Sequence, residues 1–201
     1  MRTAIGLMGE HGYEGTSTRD IASAAGVSVA ALYYHFPSKL DLLREFLHEA
    51  HDVVLVRVAR AIDGAGDDHR TRLDAAVEAL IWSNLHDAWA RRASLVAWRE
   101  LGRLAPADRR SVARKREAIV EQLDRVIRAG ADAGAFATTE PGASARAILT
   151  LCVSVVDPFS DVRGSVARTI DVHQRLAAAL ADLAPPTAKS KPAAKAKAKA
   201  S

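Results

Sequence analysis

The sequence predicts an all-α protein in two unequal parts: a small three-helix unit at the amino terminus and a larger helical body. Three observations lead there. Apolar residues recur at helical spacing from Ser38 to about Leu183; Val/Ile clusters bounded by hairpin turns are missing; and Ala and Arg are abundant while aromatics make up only 5% of 201 residues. At 49% hydrophobic and 26% charged, the chain can bury one generous core or two small ones.

Residues 1 to 36 break into short helical pieces, and residues 15 to 41 are the most informative stretch. Ser17 followed by Asp20 matches a capping box that opens a short helix, with Ile21, Ala22 and Ala25 as its inner face. Gly26 ends it, since glycine takes the positive φ that a tight turn between crossed helices needs, and Val27 is expected to plug the angle. Ser28 caps the next helix, whose Leu32 and Phe36 point inward four residues apart, leaving Val29, Ala30, Tyr33 and Tyr34 on outward faces. Pro37 and the Ser38 to Asp41 box restart the chain.

In the body, Leu40, Leu43, Leu47, Val54 and Val58 mark one helix, stopped by the Gly64 to Asp68 cluster. A second carries Leu73, Val77, Leu80, Ile81 and Leu85, with Trp82, His86 and Trp89 on an adjoining face of the same helix. Leu95, Trp98 and Leu101 suggest a third up to Gly102, and Pro106 suits the first turn of a fourth, through Val112, Ile119, Leu123, Val126 and Ile127 to Gly130. Pro141-Gly142 starts another, with Ile148, Leu151 and Val155 before the break at Asp157-Pro158. The last repeats Val166, Ile170, Ala177 and Leu180 with His173 in the seam, so the final two helices pair as a hairpin. The predicted division is a helix-turn-helix unit over 1–47, a body over 48–184, and a disordered Ala/Lys/Pro tail over 185–201.

The formal charge of +4 comes from that tail: without Lys189, Lys191, Lys195, Lys197 and Lys199, residues 1 to 188 stand near −1. Any case for nucleic acid therefore rests on local pattern. Cys152, the single cysteine, lies in an apolar run, which excludes an internal disulfide and predicts a buried, inert thiol in a reducing cytoplasm. No stretch has the apolar length of a membrane span, and no secretion signal is visible. His48 and His51 share a helix at i, i+3 with no third ligand near in sequence, so neither a metal nor a cofactor is expected.

Small residues at the start of a helix let its backbone approach a DNA groove, while Tyr and His offer hydrogen bonds to phosphates and ring surface to thymine methyls. The helix amino termini capped by Ser17 and Ser38, with Arg19 and Lys39 beside them, are expected to attract phosphates. The runs Thr18-Arg19-Asp20-Ile21-Ala22, Ala25-Gly26-Val27-Ser28 and Leu32-Tyr33-Tyr34-His35-Phe36-Pro37-Ser38-Lys39 resemble the tetracycline-repressor (TetR) family of transcriptional regulators, over roughly residues 4 to 47. The resemblance implies a homodimer that binds a palindromic double-stranded operator and releases it when a small molecule enters the second domain. It assigns Thr18, Arg19, Tyr34 and Lys39 to phosphate contacts, and Ser28, Val29, Ala30, Tyr33 and His35 to the major groove or its edge. Two departures stand out: Ala30 sits where the family commonly has glycine, and Met1 falls partway along a first helix that relatives extend, often behind a basic arm.

Beyond that segment, Trp82, Asn84, Leu85, His86, Trp89, Trp98 and Leu123 fit either plain core or the wall of a cavity for an apolar or amphipathic effector. Ile148, Leu151, Val155, Ile170, His173, Ala177 and Leu180 fit a four-helix dimer interface or packing within one subunit. Two rival functions are an enzyme with a helical substrate pocket and a DNA-compacting protein driven by the lysine tail. The first finds no nucleophile–base spacing, phosphate loop or ligand set, so a non-enzymatic regulator is the expectation.

Overall fold

The computed structural model describes residues 1–156 and 165–183, and every regular element among them is helical. In chain order these are α1 (Arg2–His11), α2 (Thr18–Ala25), α3 (Val29–His35), α4 (Lys39–Gly64), α5 (His69–Leu85), α6 (Ala88–Glu100), a 3-10 turn (Leu101–Arg103), α7 (Pro106–Asp132), α8 (Pro141–Ser154) and α9 (Val166–Ala181). The sequence-predicted break at Asp157-Pro158 and the tail over 185–201 lie outside the described residues. No described helix is long and apolar enough to cross a membrane.

The starts of these helices are set by local chemistry. Ser17, Ser28, Ser38, Asp68, Asp87 and Ser165 each accept a hydrogen bond from the backbone N–H three residues on, satisfying a donor that the first helical turn leaves unpaired. Proline opens α7 and α8. The Asp87 cap corrects the sequence reading of the second body helix. α5 stops at Leu85, so Trp89 belongs to α6 and does not share a stripe with Trp82 and His86.

Two apolar clusters hold the chain. The body cluster gathers Val58 from α4, Leu73, Val77, Leu80 and Ile81 from α5, Ile119, Leu123 and Ile127 from α7, Ile148 and Cys152 from α8, and Ala177 from α9. The head cluster joins Ile5 and Met8 of α1, Ile21 of α2, Leu32 of α3 and Leu42, Leu43, Phe46 and Leu47 of α4 to Ala93 and Val96 of α6, Leu104, and Val112 of α7. The head is thus roofed by residues from the body, and α4, about 39 Å long at 1.5 Å per residue, runs through both clusters. Its inward stripe is Leu42, Leu43, Phe46 and Leu47; Leu40, expected inside, is exposed because its phase faces away from α1 and α2. Ala25 and Val27 are exposed as well, and Val27 plugs no angle at the turn.

Where α7 ends, the chain doubles back tightly. The backbone N–H groups of Ala135 and Phe136 both donate to the carbonyl of Gly130, at 2.7 and 3.2 Å, and the edge of the Phe136 ring occupies the space that a Cβ on Gly130 would need. Phe136 is itself buried, so the ring has nowhere to swing. Gly130→Ala is therefore expected to lower the stability to urea by roughly 1–3 kcal/mol despite the better helix propensity of alanine; an unchanged unfolding midpoint would contradict this packing. Burial pushes the Cys152 thiol up to about 12, since the thiolate cannot be solvated there. A disulfide reagent at pH 8 is expected to leave Cys152 unmodified in the native protein and to label it fully in urea.

Candidate nucleic-acid interface

The helix pair α2 and α3 is built by reciprocal local bonds. Ser17 and Asp20 form a complete capping box: the Asp20 amide donates to the Ser17 hydroxyl oxygen at 3.1 Å, and the Ser17 amide and hydroxyl donate to the Asp20 carboxylate at 2.9 and 2.6 Å. These bonds hold the Asp20 carboxyl below its ordinary value. Gly26 takes φ 69°, ψ 28°, and the chain turns there into the Ser28 cap of α3. Leu32 is the residue that fastens α3 to the head cluster, and Phe36, half-buried, packs beside it.

The opposite side of α3 is uncovered by its own chain. Ser28, Ala30, Tyr33, Tyr34 and His35 are exposed, Val29 is half-buried, and Tyr34, at 86% exposure, is the most exposed large hydrophobic side chain among the described residues. Tyr34 and His35 meet edge to face with ring centres 5.3 Å apart. The Tyr33 hydroxyl lies 3.2 Å from Thr18 Oγ1, linking the start of α2 to α3, and Arg19 projects into solvent beside them. The structure therefore gathers eight of the nine residues expected to meet DNA around α3 and the start of α2, with Val29 turned partly toward the head cluster and the others exposed or half-buried.

The ninth, Lys39, is committed elsewhere. Its ammonium donates to the carbonyls of Tyr13 and Thr16, at 2.6 and 2.8 Å, and sits 4.1 Å above the Tyr13 ring. The other side of the same tie is Arg103, which pairs with Glu14 and Glu100 and lies 4.6 Å from the Tyr13 ring centre. Lys39 thus positions the loop that delivers Ser17, a role that the sequence reading as a phosphate contact missed. Tyr13, Glu14 and Arg103 were missed with it, since the link from Arg103 to Glu14 spans 89 residues. The expected positive helix ends are also partly neutralised: Asp20 and Asp41 occupy the capped termini of α2 and α4, and Arg44 pairs with Asp41 at 2.7 Å.

Behind this surface, the residues expected to bind an effector are divided. Asn84 and Trp98 line an inner hollow of about 130 Å³ between α4, α5, α6, α7 and α8, with His51, Val54, Leu80 and Ile119. His51 bonds the Leu47 carbonyl at 2.7 Å, and its burial holds its pKa below the usual histidine value. His86 and Trp89 line an outer cleft of about 290 Å³ between α1, α4, α5 and α6, which shares the wall of Ala50, Ser94 and Ala97 with the inner hollow. Trp82 lies on the outer side of α5, stacked on His86 at 3.9 Å, and borders a surface groove with α4. Leu85 and Leu123 are core residues and border neither hollow. No group of three or more His, Cys, Asp or Glu side chains among the described residues could hold a metal.

The residues expected at a dimer interface divide likewise. Ile148, Val155 and Ala177 face the body cluster of their own subunit. Leu151 and Leu180 border an open apolar hollow on the outer face of α8 and α9, together with Ala147, Thr150, Leu176, Ala179 and Leu183. Ile170 and His173 are half-buried on α9, His173 bonding the Thr169 carbonyl at 2.7 Å.

A capped helix pair that shows one polar, aromatic face to solvent from the end of a helical body defines a helix-turn-helix transcriptional regulator. The chain belongs to the TetR family: the pattern described as "Bacterial regulatory proteins, tetR family" matches residues 1–46, and that described as "Tetracyclin repressor-like, C-terminal domain" matches residues 66–165. A TetR-family regulatory protein from Rhodococcus RHA1 is 30% identical, with 88% of this chain and 94% of that chain superposed at a TM-score of 0.73. PfmR from Thermus thermophilus, also a TetR-family regulator, superposes at a TM-score of 0.79 with 25% identity, over 89% of this chain and 96% of that one. The transcriptional repressor KstR2 of Rhodococcus jostii is 39% identical over 74 residues, which is 37% of this chain; the match spans only 36% of that repressor's length.

The geometry separates two roles within the head. Lys39→Ala is expected to lower thermal stability, by roughly 1–3 kcal/mol for two charge-assisted bonds to backbone carbonyls, because it frees the loop before α2. Tyr34→Ala is expected to leave the melting temperature unchanged. Equal stability of the two variants in a thermal melt would show that the Lys39 tie holds nothing.

Proposed function

We propose that the chain is a ligand-responsive repressor that binds a palindromic operator as a homodimer and is released by a small apolar or amphipathic effector. The observation that carries this is the exposed side of α3: Leu32 fixes the helix from behind, and Ser28, Ala30, Tyr33, Tyr34 and His35 remain exposed, Tyr33 bonded to Thr18 at the start of α2. In this reading Thr18, Arg19 and Tyr34 contact phosphates, while Ser28, Val29, Ala30, Tyr33 and His35 lie in or beside the major groove. Repression is favoured by the name of the KstR2 relative.

The apolar outer face of α8 and α9 supports the homodimer. Leu176 and Leu183 are exposed at 44% and 58%, and two such helix pairs meeting face to face make a four-helix interface that buries them. Two copies then present two α3 helices, which engage successive major grooves only if their spacing matches about 34–36 Å or a multiple of it. The hollows between α4, α5 and α6 support effector binding, since one reaches α1 of the head and the other reaches α7 and α8. An occupant that shifts α4 or α6 would change the spacing of the two heads.

Two measurements test this. Selection of bound fragments from the organism's own DNA is expected to enrich an inverted repeat, with Arg19→Ala and Tyr34→Ala weakening binding to it at least tenfold; enrichment without twofold symmetry would overturn the reading. Leu151→Glu with Leu176→Glu is expected to give a folded monomer by light scattering. A dimer that survives this change would place the interface elsewhere.

A further inference from the structure

The outer cleft between α1, α4, α5 and α6 has a charge distribution that the apolar body does not require. Its inner surface is apolar, from Phe46, Val53, Trp89 and Ala93, and its edge carries two guanidinium groups from different parts of the fold. Arg2 comes from α1, in the head, and lies 4.1 Å over the Trp89 ring; Arg57 comes from α4, at the level of the body, and lies 4.5 Å over the Trp82 ring. Arg57 donates one bond, to Ser83 Oγ at 2.9 Å, and keeps its other donors. Three other arginines near the head are neutralised by carboxylates, Arg44 by Asp41, Arg92 by Glu10, and Arg103 by Glu14 and Glu100, while Arg19 projects into solvent on the α2–α3 side. Among the described residues neither Arg2 nor Arg57 forms an ion pair, although the Asp87 carboxylate, which caps α6, acts on Arg2 from beyond ion-pair distance. Glu49 also lines the cleft, but pairs with neither.

Each guanidinium carbon lies over a ring face at cation–π distance, a contact that restrains the side chain without using its N–H donors. A guanidinium restrained in this way offers a planar fork that binds carboxylate and phosphate oxygens. We propose that this cleft binds the anionic head of a small amphiphile, a carboxylate or a phosphate monoester, between Arg2 and Arg57, with the short apolar chain lying against Phe46, Val53 and Ala93. At about 290 Å³ the cleft is at the small end of ligand pockets, so the apolar part is a medium-length chain or a single ring. The proposal rests on, and deepens, the effector reading given above. A ligand gripped by both arginines adds a direct tie from α1 to α4, beside the packing that already joins head to body.

The test is calorimetric titration of the full-length protein, without DNA, with sodium octanoate, octyl phosphate, 1-octanol and octyltrimethylammonium. Octanoate or octyl phosphate is expected to bind saturably and at least tenfold more tightly than octanol, with no binding of the cation; whichever anion binds more tightly identifies the head group. Arg57→Gln and Arg2→Gln are each expected to weaken the anion about tenfold, Arg57→Lys to recover part of the loss, and Glu49→Gln to strengthen binding. Melting curves keep a folding defect apart from a lost contact. Octanol binding as tightly as octanoate, no saturable heat from either anion, or a Glu49→Gln variant that binds more weakly would overturn the proposal. Because DNA is absent, failure here leaves the operator reading standing, and the selection experiment fails or succeeds without any ligand.

Discussion

The structure depends on one constraint: the head cannot close its own apolar core. Three short helices and the first half of α4 bring Ile5, Met8, Ile21, Leu32, Leu43 and Leu47 together, but Ala93, Val96, Leu104 and Val112 complete the cluster from the body. A unit of roughly fifty residues buries too little surface to be comfortably stable by itself, and borrowing a roof solves that problem. The same arrangement makes the position of the head a function of the packing of α6 and α7. A hollow bordered by α6 is then well placed to influence where α3 points, with no separate transmission element required.

The electrostatics of the interface are economical. Residues 1 to 188 together carry almost no net charge, and most cations near the head are spent on internal contacts: Lys39 on the loop carbonyls, Arg44 on Asp41, Arg103 on Glu14 and Glu100. What faces outward from α2 and α3 is Arg19 together with hydroxyls, rings and small side chains. Such a surface gains little from nonspecific counterion release; in the proposed dimer it relies on fit to a groove and on two heads acting together.

Much of this was legible in the sequence where chemistry is local. The Ser17–Asp20 box, the left-handed Gly26, the Ser28 and Ser38 caps and the inward Leu32 all involve residues within four positions of one another, and each is present as expected. Helical phase was less legible. In an Ala-rich helix the inner and outer stripes differ by few large residues, so spacing favours Leu40 for the inside where Leu42 lies, and it does not separate the inward Ile148 and Ala177 from the outward Leu176 and Ala179. Long-range ties were not legible at all. Nothing near Lys39 announces that its ammonium reaches back to Tyr13, and nothing near Trp89 announces Arg2, because those pairings exist only once α1 lies against α6.

At seven residues, α3 is too short to persist as a helix in water, where the first turn costs more than it returns. Its shape is lent to it by Leu32 and the cluster beneath. Errors in the head therefore have an all-or-none character: a chain whose packing loosens does not read neighbouring sequences with relaxed fidelity, because the reading element itself dissolves. Mutational drift in the buried layer would silence such a protein before it could misdirect it.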